Sequence, residues 1–287
     1  MDRIKIGFVP AHRQSLSEDW AAQLRKRCLD VFSKIPGLEI IVPDESLTNK
    51  GFVRNNAEAE KVIRFFREKD IDGLIIGTMT FGDEISTLSV ATAFRDKPQL
   101  LFGTKENEVP PCGVRISDSF SGTLSISSGL HRRDIPFIFA GLVFPEEKNF
   151  QKYVSDFVGT CSVVKGFIGA KIGTVGPRPD AFETCIYNED AMIKQFNQRV
   201  VPTGVPELLA RGSKLKKDDP ALKKITREMR AETDMSALGK ESIEKLARLE
   251  FALKVSPGTK GCPRLVFSAG RPSRKFTACH RATLWAD

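Results

Sequence analysis

The stretch Ile71-Asp72-Gly73-Leu74-Ile75-Ile76-Gly77 decides the fold prediction for this chain of 287 residues. Its apolar centre is short, continuous and flanked by glycine, which is typical of a strand buried on both faces of a parallel sheet. A helical pattern over residues 58–69 precedes it, and another over residues 84–94 follows it. A buried strand between two helices predicts a parallel sheet with helices packed on its faces.

The same alternation of strand and helix continues through the first 145 residues. The other predicted strands and helices are strands at 4–9, 38–42, 99–102 and 135–140 and helices at 17–34 and 119–130. Successive parallel strands need right-handed crossovers, and these place helices on both sides of the sheet. Residues 1–146 are therefore predicted to form a flavodoxin-like, doubly wound α/β domain.

A long helix over residues 147–167 is expected to link this domain to a second unit. Residues 168–255 restart the α/β pattern with a strand at 171–176. A helix is expected after it, with three apolar residues: Phe182, Ile186 and Met192. Only one strand is predicted before residue 255, and one strand cannot form a sheet by itself. We therefore expect residues 168–255 to be an incomplete second α/β domain.

The net charge of +8 is concentrated at one end of the chain. Residues 256–287 hold six lysines and arginines against a single acid, and so carry most of the excess. Proteins that bind nucleic acid usually have a basic stripe on the folded domain itself. We therefore expect no nucleic-acid partner. Such a partner would show salt-sensitive binding that survives removal of residues 256–287.

Hydropathy and cysteine usage indicate a cytoplasmic protein. No apolar run approaches the roughly 18 residues of a spanning helix, so no membrane insertion is expected. The first residues run directly into a strand pattern and lack the layout of a signal peptide. The six cysteines are widely spaced without a Cys-x-x-Cys pair, which favours reduced thiols.

Two loops of the predicted sheet offer a candidate binding site. Ligands of open parallel sheets bind beyond the carboxyl ends of the strands. The loop after the first strand offers Arg13, and the loop after the third strand offers Phe81, Asp83 and Glu84. Charged hydrogen-bonding groups beside a flat apolar surface suit a polyol. Two alternatives remain open: the two acids simply begin a helix, where the dipole favours them, and Arg13 is an ordinary surface residue.

Other sequence motifs with known chemistry are missing. No Gly-x-Gly-x-x-Gly or Gly-x-x-x-x-Gly-Lys-Ser/Thr pattern is present, which argues against dinucleotide and Walker-type phosphate sites. The three histidines are far apart, with no spacing typical of a metal site. We therefore predict no catalytic residue and no metal ligand from spacing.

The most distinctive run spans residues 176–189 and reads Gly-Pro-Arg-Pro-x-x-Phe-x-Thr-x-x-Tyr-x-Glu. One interpretation is a stiff turn between domains, with Phe182 and Tyr187 as packing residues. Together with the long helix before it, however, the run resembles the L-fucose/L-arabinose isomerase family, in its L-fucose isomerase-like branch. The similarity extends through the N-terminal domain and onward to about Val255.

The resemblance implies an aldose–ketose isomerase that moves a proton between neighbouring sugar carbons through an ene-diol. In the family a divalent metal, usually Mn²⁺, holds both oxygens, and carboxylates act as acid and base. Two acidic ligands and a histidine ligand come from later parts of the family's chain, and no residue here matches them. No catalytic residue and no metal-binding residue is therefore predicted in this chain.

By the same resemblance, the N-terminal domain helps to bind the sugar at a subunit interface. Arg13, Phe81 and Glu84 are predicted substrate-binding residues because their loops correspond, and Arg178 is a weaker candidate. The resemblance also implies a homo-oligomer formed through the N-terminal domain. The alternative function is a binding or regulatory module that recognises a sugar or its phosphate without chemistry.

The composition changes abruptly after Val255. Residues 256–287 have no helical or alternating period, so they are expected to be either a disordered tail or a segment translated out of frame. Codons can be chosen for residues 259–280 such that the same DNA, read two bases later, encodes KGVSAAGIQCWPSIQEIYGMP. The segment Gln-Cys-Trp-Pro-Ser-Ile-Gln in that string resembles one that the family has at this point. We therefore expect a frameshift that truncates the catalytic part.

Overall fold

The structure is a computed structural model that describes residues 3–106 and 115–254, together with the backbone of residues 264–267. The chain divides into two compact units, Met1–Lys165 and Gly166–Asp287, which we describe separately. No helix in the described ranges is long and apolar enough to cross a lipid bilayer.

The first unit is a five-stranded sheet with helices between its strands. Its elements are β1 (Ile4–Ala11), α1 (Glu18–Phe32), β2 (Leu38–Ile41), α2 (Asn56–Lys69), β3 (Gly73–Thr78), α3 (Glu84–Ala93), β4 (Gln99–Thr104), α4 (Ser119–His131), β5 (Ile138–Val143) and α5 (Lys148–Phe167), the last two residues of α5 falling in the second unit. All strand pairs are parallel, and the strand order is β2-β1-β3-β4-β5. This order is that of the flavodoxin-like, doubly wound α/β sheet, and it confirms the predicted fold class.

Apolar side chains cover both faces of this sheet. On one face Phe102 lies 4.6 Å from Phe150 of α5, measured between ring centroids, and both rings are fully buried. The other face holds a second cluster that includes Phe66 of α2 and Ile76 of β3. A central strand with both faces buried consists of continuous apolar residues, which explains why residues 71–77 predicted the fold so directly.

The fifth strand lies further along the chain than predicted. The sequence indicated a strand at 135–140, whereas β5 covers Ile138–Val143. The backbone N–H of Ile135 donates to Leu130 O at 3.1 Å, which closes the end of α4, and Pro136 has no N–H to offer a neighbouring strand. These two apolar residues therefore belong to the turn before the strand.

The second unit contains a smaller sheet with more strands than predicted. Its elements are β6 (Lys171–Val175), a short 3₁₀ helix (Glu183–Cys185), α6 (Glu189–Phe196), β7 (Arg199–Thr203), α7 (Val205–Ser213), α8 (Pro220–Glu232), α9 (Lys240–Lys254) and β8 (Arg264–Phe267). The described strands pair in parallel in the order β7-β6-β8. The prediction of a single strand in this region was wrong, because β7 is short and contains Pro202, a residue tolerated at a sheet edge.

The predicted helix after β6 begins later than expected. Ile186 has extended backbone geometry, and the Asn188 side chain caps α6 by accepting a hydrogen bond from the N–H of Ala191 at 2.9 Å. Of the three apolar residues expected in that helix, only Met192 lies in one. The turn residues before Asn188 are therefore not part of a helical stripe.

Part of the segment expected to be out of frame or disordered has regular backbone structure. Arg264–Phe267 forms β8, which pairs in parallel with β6 from Ile172↔Arg264 to Val175↔Phe267. This strand was not predicted from the sequence. The rest of residues 256–287 lies outside the described residues, as does Val255, and the expectation of a frameshift there stays a prediction.

Candidate functional site

The two loops singled out in the sequence lie side by side. β1 and β3 are parallel neighbours in a register that pairs Ala11 with Thr78, so both strands end at the same edge of the sheet. Just beyond that edge the N–H of Met79 donates to Ala11 O at 2.8 Å. The chain following β1 therefore runs next to the chain following β3, where open parallel sheets bind ligands.

Arg13 and Phe81 contact each other at this edge. The guanidinium carbon of Arg13 lies 4.8 Å from the centroid of the Phe81 ring, within the range of a cation–π interaction. Arg13 is exposed, and Phe81 is half-buried. The structure thus brings together a cation with free access to solvent and the partly covered ring beside it.

The two acids after Phe81 have different surroundings. Asp83 caps α3, since its side chain accepts a hydrogen bond from the N–H of Ser86 at 2.9 Å. This contact favours the helix-capping interpretation of Asp83. Glu84 is the exposed first residue of α3, and its carboxylate accepts a hydrogen bond from the hydroxyl of Ser125 on α4. Glu84 therefore lies near the loop but already has one protein partner.

The backbone of the Phe81 loop is packed tightly against α4. A Cβ atom at Gly122 would lie 1.7 Å from the carbonyl oxygen of Phe81, a distance that no side chain could accept. Gly82 has φ of +83°, in the left-handed region that favours glycine. Both glycines are thus required for the path of the loop, and they fix where Phe81 leaves the sheet.

A contact between the side chains of His12 and Thr80 connects the two loops. The His12 ring is fully buried, its Nδ1 lies 2.9 Å from Thr80 Oγ1, and its centroid lies 5.0 Å from that of Phe52. The backbone N–H of Arg13 donates to the same Thr80 oxygen at 3.2 Å. From the sequence, His12 was considered only as a metal ligand, and this contact was not predicted. The available signal was that the two residues follow adjacent strands.

Burial keeps the His12 imidazole neutral. The pKa of His12 falls from 6.5 to about 4, chiefly because burial removes solvent; the nearby cations of Arg54 and Lys50 also lower it, and the carboxylates of Glu18 and Glu58 oppose them. These four residues form an ion-pair network in which Arg54 and Glu58 are 2.6 Å apart. Nε2 of His12 has no hydrogen-bond partner among the described residues.

A buried cluster of hydroxyl groups holds the neighbouring strand ends in place. Thr78 Oγ1 lies 2.7 Å from both Ser119 Oγ and Thr123 Oγ1 at the start of α4. The hydroxyl of Thr104 donates to Thr78 O at 2.8 Å, and the N–H of Thr104 donates to Ser119 Oγ at the same distance. These bonds join β3, β4 and α4, so the loops that carry the candidate residues extend from a rigid base.

Comparison with protein families identifies the first unit. The family model described as "Fucose/sulfoquinovose isomerase, N-terminal domain" matches residues 7–168, more than half of the chain. The chain belongs to this isomerase family. The match begins within β1 and ends just after α5, so it includes Arg13, Phe81 and Glu84. A comparison with curated proteins gave no match.

The run at 176–189 that carried the sequence resemblance lies beyond the part of the chain matched to the fucose/sulfoquinovose isomerase family. In the second unit, the Arg178 guanidinium donates to the carbonyl oxygens of Pro179 and Phe182 at 3.1 and 2.9 Å. These bonds close its own turn, as the stiff-turn interpretation predicts. Phe182 and Tyr187 are about half exposed, which does not fit packing residues. The sugar-binding role of Arg178 stays a prediction.

The described residues do not fit the manganese ion that the isomerase family implies. No group of three His, Cys, Asp or Glu side chains within 3–106 and 115–254 comes together as a metal site. His12 Nδ1 is bound to Thr80, and the Glu84 carboxylate is bound to Ser125. No metal-dependent step is therefore assigned to these residues.

The chemistry available at this edge is binding. The Arg13 guanidinium offers hydrogen-bond donors and no acceptor. The Phe81 ring offers an apolar face, and the Glu84 carboxylate retains acceptor capacity beyond its bond to Ser125. The geometry therefore supports recognition of a hydroxylated ligand at this edge of the sheet.

Proposed function

We propose that this chain is the N-terminal, sugar-binding part of an aldose–ketose isomerase for fucose-type sugars. Membership of the fucose/sulfoquinovose isomerase family supports the reaction class. The observation that carries the proposal within the structure is the contact of Arg13 with Phe81 at the carboxyl edge of the sheet.

In this proposal each side chain contacts a different part of the sugar. Arg13 donates hydrogen bonds to hydroxyl oxygens, and the uncovered part of the Phe81 ring packs against C–H groups. Glu84 accepts a hydrogen bond from a hydroxyl while Ser125 holds its carboxylate in place. Arg178 is a weaker candidate, because its guanidinium is already bound to its own turn.

The isomerisation itself needs groups that these residues do not supply. A proton has to leave one sugar carbon and return to its neighbour through an ene-diol, which requires a base. Mn²⁺ would supply Lewis-acid stabilisation of the two oxygens. We propose that the metal ligands and the acid–base residues lie outside the described residues, so that this chain is inactive by itself.

The proposed cause of that inactivity is a frameshift after about Val255. Two measurements test it. Sequencing independent clones of the gene across the Val255 codon should reveal the shift, and an intact reading frame in all of them would contradict it. An aldose-to-ketose assay with and without Mn²⁺ should show activity in a frame-restored protein and none in this chain.

Sugar binding by this chain tests the role of the Arg13–Phe81 edge directly. We expect L-fucose or sulfoquinovose to bind in a calorimetric or NMR titration, and Arg13→Gln and Phe81→Ala to weaken binding about tenfold, or 1.4 kcal/mol. Arg64→Gln is the matched control, because Arg64 is an exposed cation on α2. Equal affinities for all three variants would exclude this edge as the site.

A non-catalytic binding module for a sugar or sugar phosphate is the second candidate. It is favoured by the presence of binding groups without a metal-binding set in the described ranges. The assay of the frame-restored protein separates the two functions, since a binding module would stay inactive there. A sugar phosphate would also bind more tightly than the free sugar, because Arg13 is a cation.

We also propose that the protein is a cytoplasmic homo-oligomer assembled through the first unit. Three exposed apolar side chains support a covered surface on α3 and α4: Ile85, Phe120 and Leu124 are 60–66% exposed. Light scattering coupled to size exclusion should show more than one copy per particle. A monomer at every concentration would contradict the proposal.

A further inference from the structure

We infer that His12 and Thr80 are positioning residues that hold Arg13 against Phe81 for sugar recognition. This inference rests on the proposed function. Each of the two residues directly precedes one of the contact residues in the chain. A bond between His12 and Thr80 therefore fixes the distance between the two backbones from which Arg13 and Phe81 project.

The hydroxyl of Thr80 is the centre of this connection. Its oxygen accepts a hydrogen bond from the N–H of Arg13 at 3.2 Å and lies 2.9 Å from Nδ1 of His12. The N–H of His12 is itself bound, donating to Val53 O at 3.2 Å. The loop after β1 is thus held on one side by the segment before α2 and on the other by the loop after β3.

The hydroxyl of Thr80 has enough hydrogen-bonding capacity for both of its partners. It has one proton to donate and two acceptor sites. One acceptor site takes the Arg13 N–H. The hydroxyl can then bond Nδ1 of a neutral His12 in either tautomer, by donating its proton or by accepting one at the second site.

The buried Nε2 atom distinguishes this arrangement from ordinary core packing. It has no partner among the described residues, and leaving a buried polar atom unpaired is unfavourable. An apolar side chain of similar size beside Phe52 would avoid that cost. The histidine is therefore explained by what its other nitrogen does for the Arg13 loop.

The test compares variants that remove the connection with conservative ones that retain it. Thr80→Val keeps the shape of the side chain and removes the hydroxyl, whereas Thr80→Ser retains it. His12→Leu removes the ring nitrogen that contacts Thr80, whereas His12→Asn keeps a polar atom near the position of Nδ1. All four are measured in the full chain beside the wild type.

The first readout does not depend on a sugar. The Arg13 guanidinium carbon lies over the Phe81 ring, 4.8 Å from its centroid, so ring current should shift the NMR signals of the guanidinium protons upfield relative to Phe81→Leu. We expect Thr80→Val and His12→Leu to lose most of that shift, and Thr80→Ser and His12→Asn to keep it. A shift retained in Thr80→Val would overturn the inference, and Thr80→Val decides alone if His12→Leu does not fold.

The second readout is the affinity for L-fucose. We expect Thr80→Val and His12→Leu to bind it about tenfold more weakly, with the two conservative variants within about threefold of the wild type. A wild-type protein that binds no sugar would refute the proposed function, while the NMR shift would still decide whether the connection positions Arg13. Wild-type affinity in Thr80→Val, with the shift lost, would show that the position of Arg13 does not matter for binding.

Discussion

In the first unit, β3 and β4 are buried along their whole length, and helices cover both faces of the sheet. In the second unit, the two helices between Glu183 and Phe196 contain no buried residue. Apolar side chains such as Phe182 and Ile186 are 54% and 66% exposed there. The first unit therefore supplies a rigid support for the loops that carry Arg13 and Phe81, and the stability of the two units should respond differently to equivalent substitutions.

The largest difference in stability between the units should appear when one aromatic ring in each is replaced by alanine. Phe102→Ala removes a fully buried ring that contacts Phe8 and Phe150, and we expect it to lower the free energy of unfolding by about 3–5 kcal/mol. Phe182→Ala removes an exposed ring and should change it by less than about 0.5 kcal/mol. Urea denaturation followed by circular dichroism measures both. Equal losses would show that Phe182 is covered in solution.

The pH dependence of stability should differ between the units because of His12. The pKa of His12 is about 4 in the folded protein, below its ordinary value of 6.5, so the unfolded state binds the proton more readily. The contribution of His12 to the free energy of unfolding is fully present above pH 6.5. It falls as the pH drops towards 4, by at most about 3 kcal/mol. His12→Asn should remove that slope.

Denaturation of the wild type and His12→Asn at a series of pH values between 7 and 4 isolates the contribution of the histidine, since all other titrating groups are common to both. Parallel curves for the two proteins would mean that His12 is accessible to solvent. Any separate unfolding transition of the second unit should be the same in both proteins.

Gly122 tests how tightly the Phe81 loop is packed. Gly122→Ala places a Cβ atom against Phe81 O, and we expect a destabilisation of about 1–3 kcal/mol together with weaker sugar binding. Gly159→Ala in α5 is the matched control, because nothing lies within 4 Å of its added Cβ, and alanine should stabilise that helix by up to about 1 kcal/mol. If thermal melts show the two variants to be alike, the loop can move aside.

The elements of the first unit were predictable where one periodicity dominates a segment. β3 is a continuous run of apolar residues because both of its faces are buried, and such a run can be recognised in a single sequence. β5 was displaced in the prediction because Ile135 is as apolar as a strand residue, while its N–H closes α4. β7 was missed because Pro202 and its short length hide an edge strand. The pairing of β7 with β6 joins residues distant in the sequence, whereas the bond that takes Ile135 out of β5 is made to Leu130 within the same turn.

The candidate site was predictable in part for a similar reason. The rule that ligands bind at the carboxyl ends of strands selected the loops of Arg13 and Phe81, and the structure places the two side chains in contact. It did not select His12 and Thr80, because their role depends on a contact between residues 68 positions apart. Strand order, which the sequence alone does not specify, is what makes these loops neighbours.

Ion pairs should show the smallest difference between the units. Arg27 on α1 binds Glu146 with two bonds of 2.7 and 2.6 Å, joins segments 119 positions apart, and lies over the Phe144 ring. Exposed pairs typically contribute about 0.2–1 kcal/mol, and we expect the upper half of that range here because the contact is bidentate.

The Glu241–Lys245 pair of α9 provides the comparison from the second unit. It spans a single helical turn with both side chains largely exposed, so its formation orders nothing beyond that turn. Double-mutant cycles with alanine should give a measurable coupling energy for Arg27–Glu146 and none above error for Glu241–Lys245. Raising the salt concentration should reduce the first only partly, because the Phe144 contact is less sensitive to screening than an exposed charge pair. A coupling that disappears in salt would reduce Arg27–Glu146 to an ordinary surface pair and remove this difference between the units.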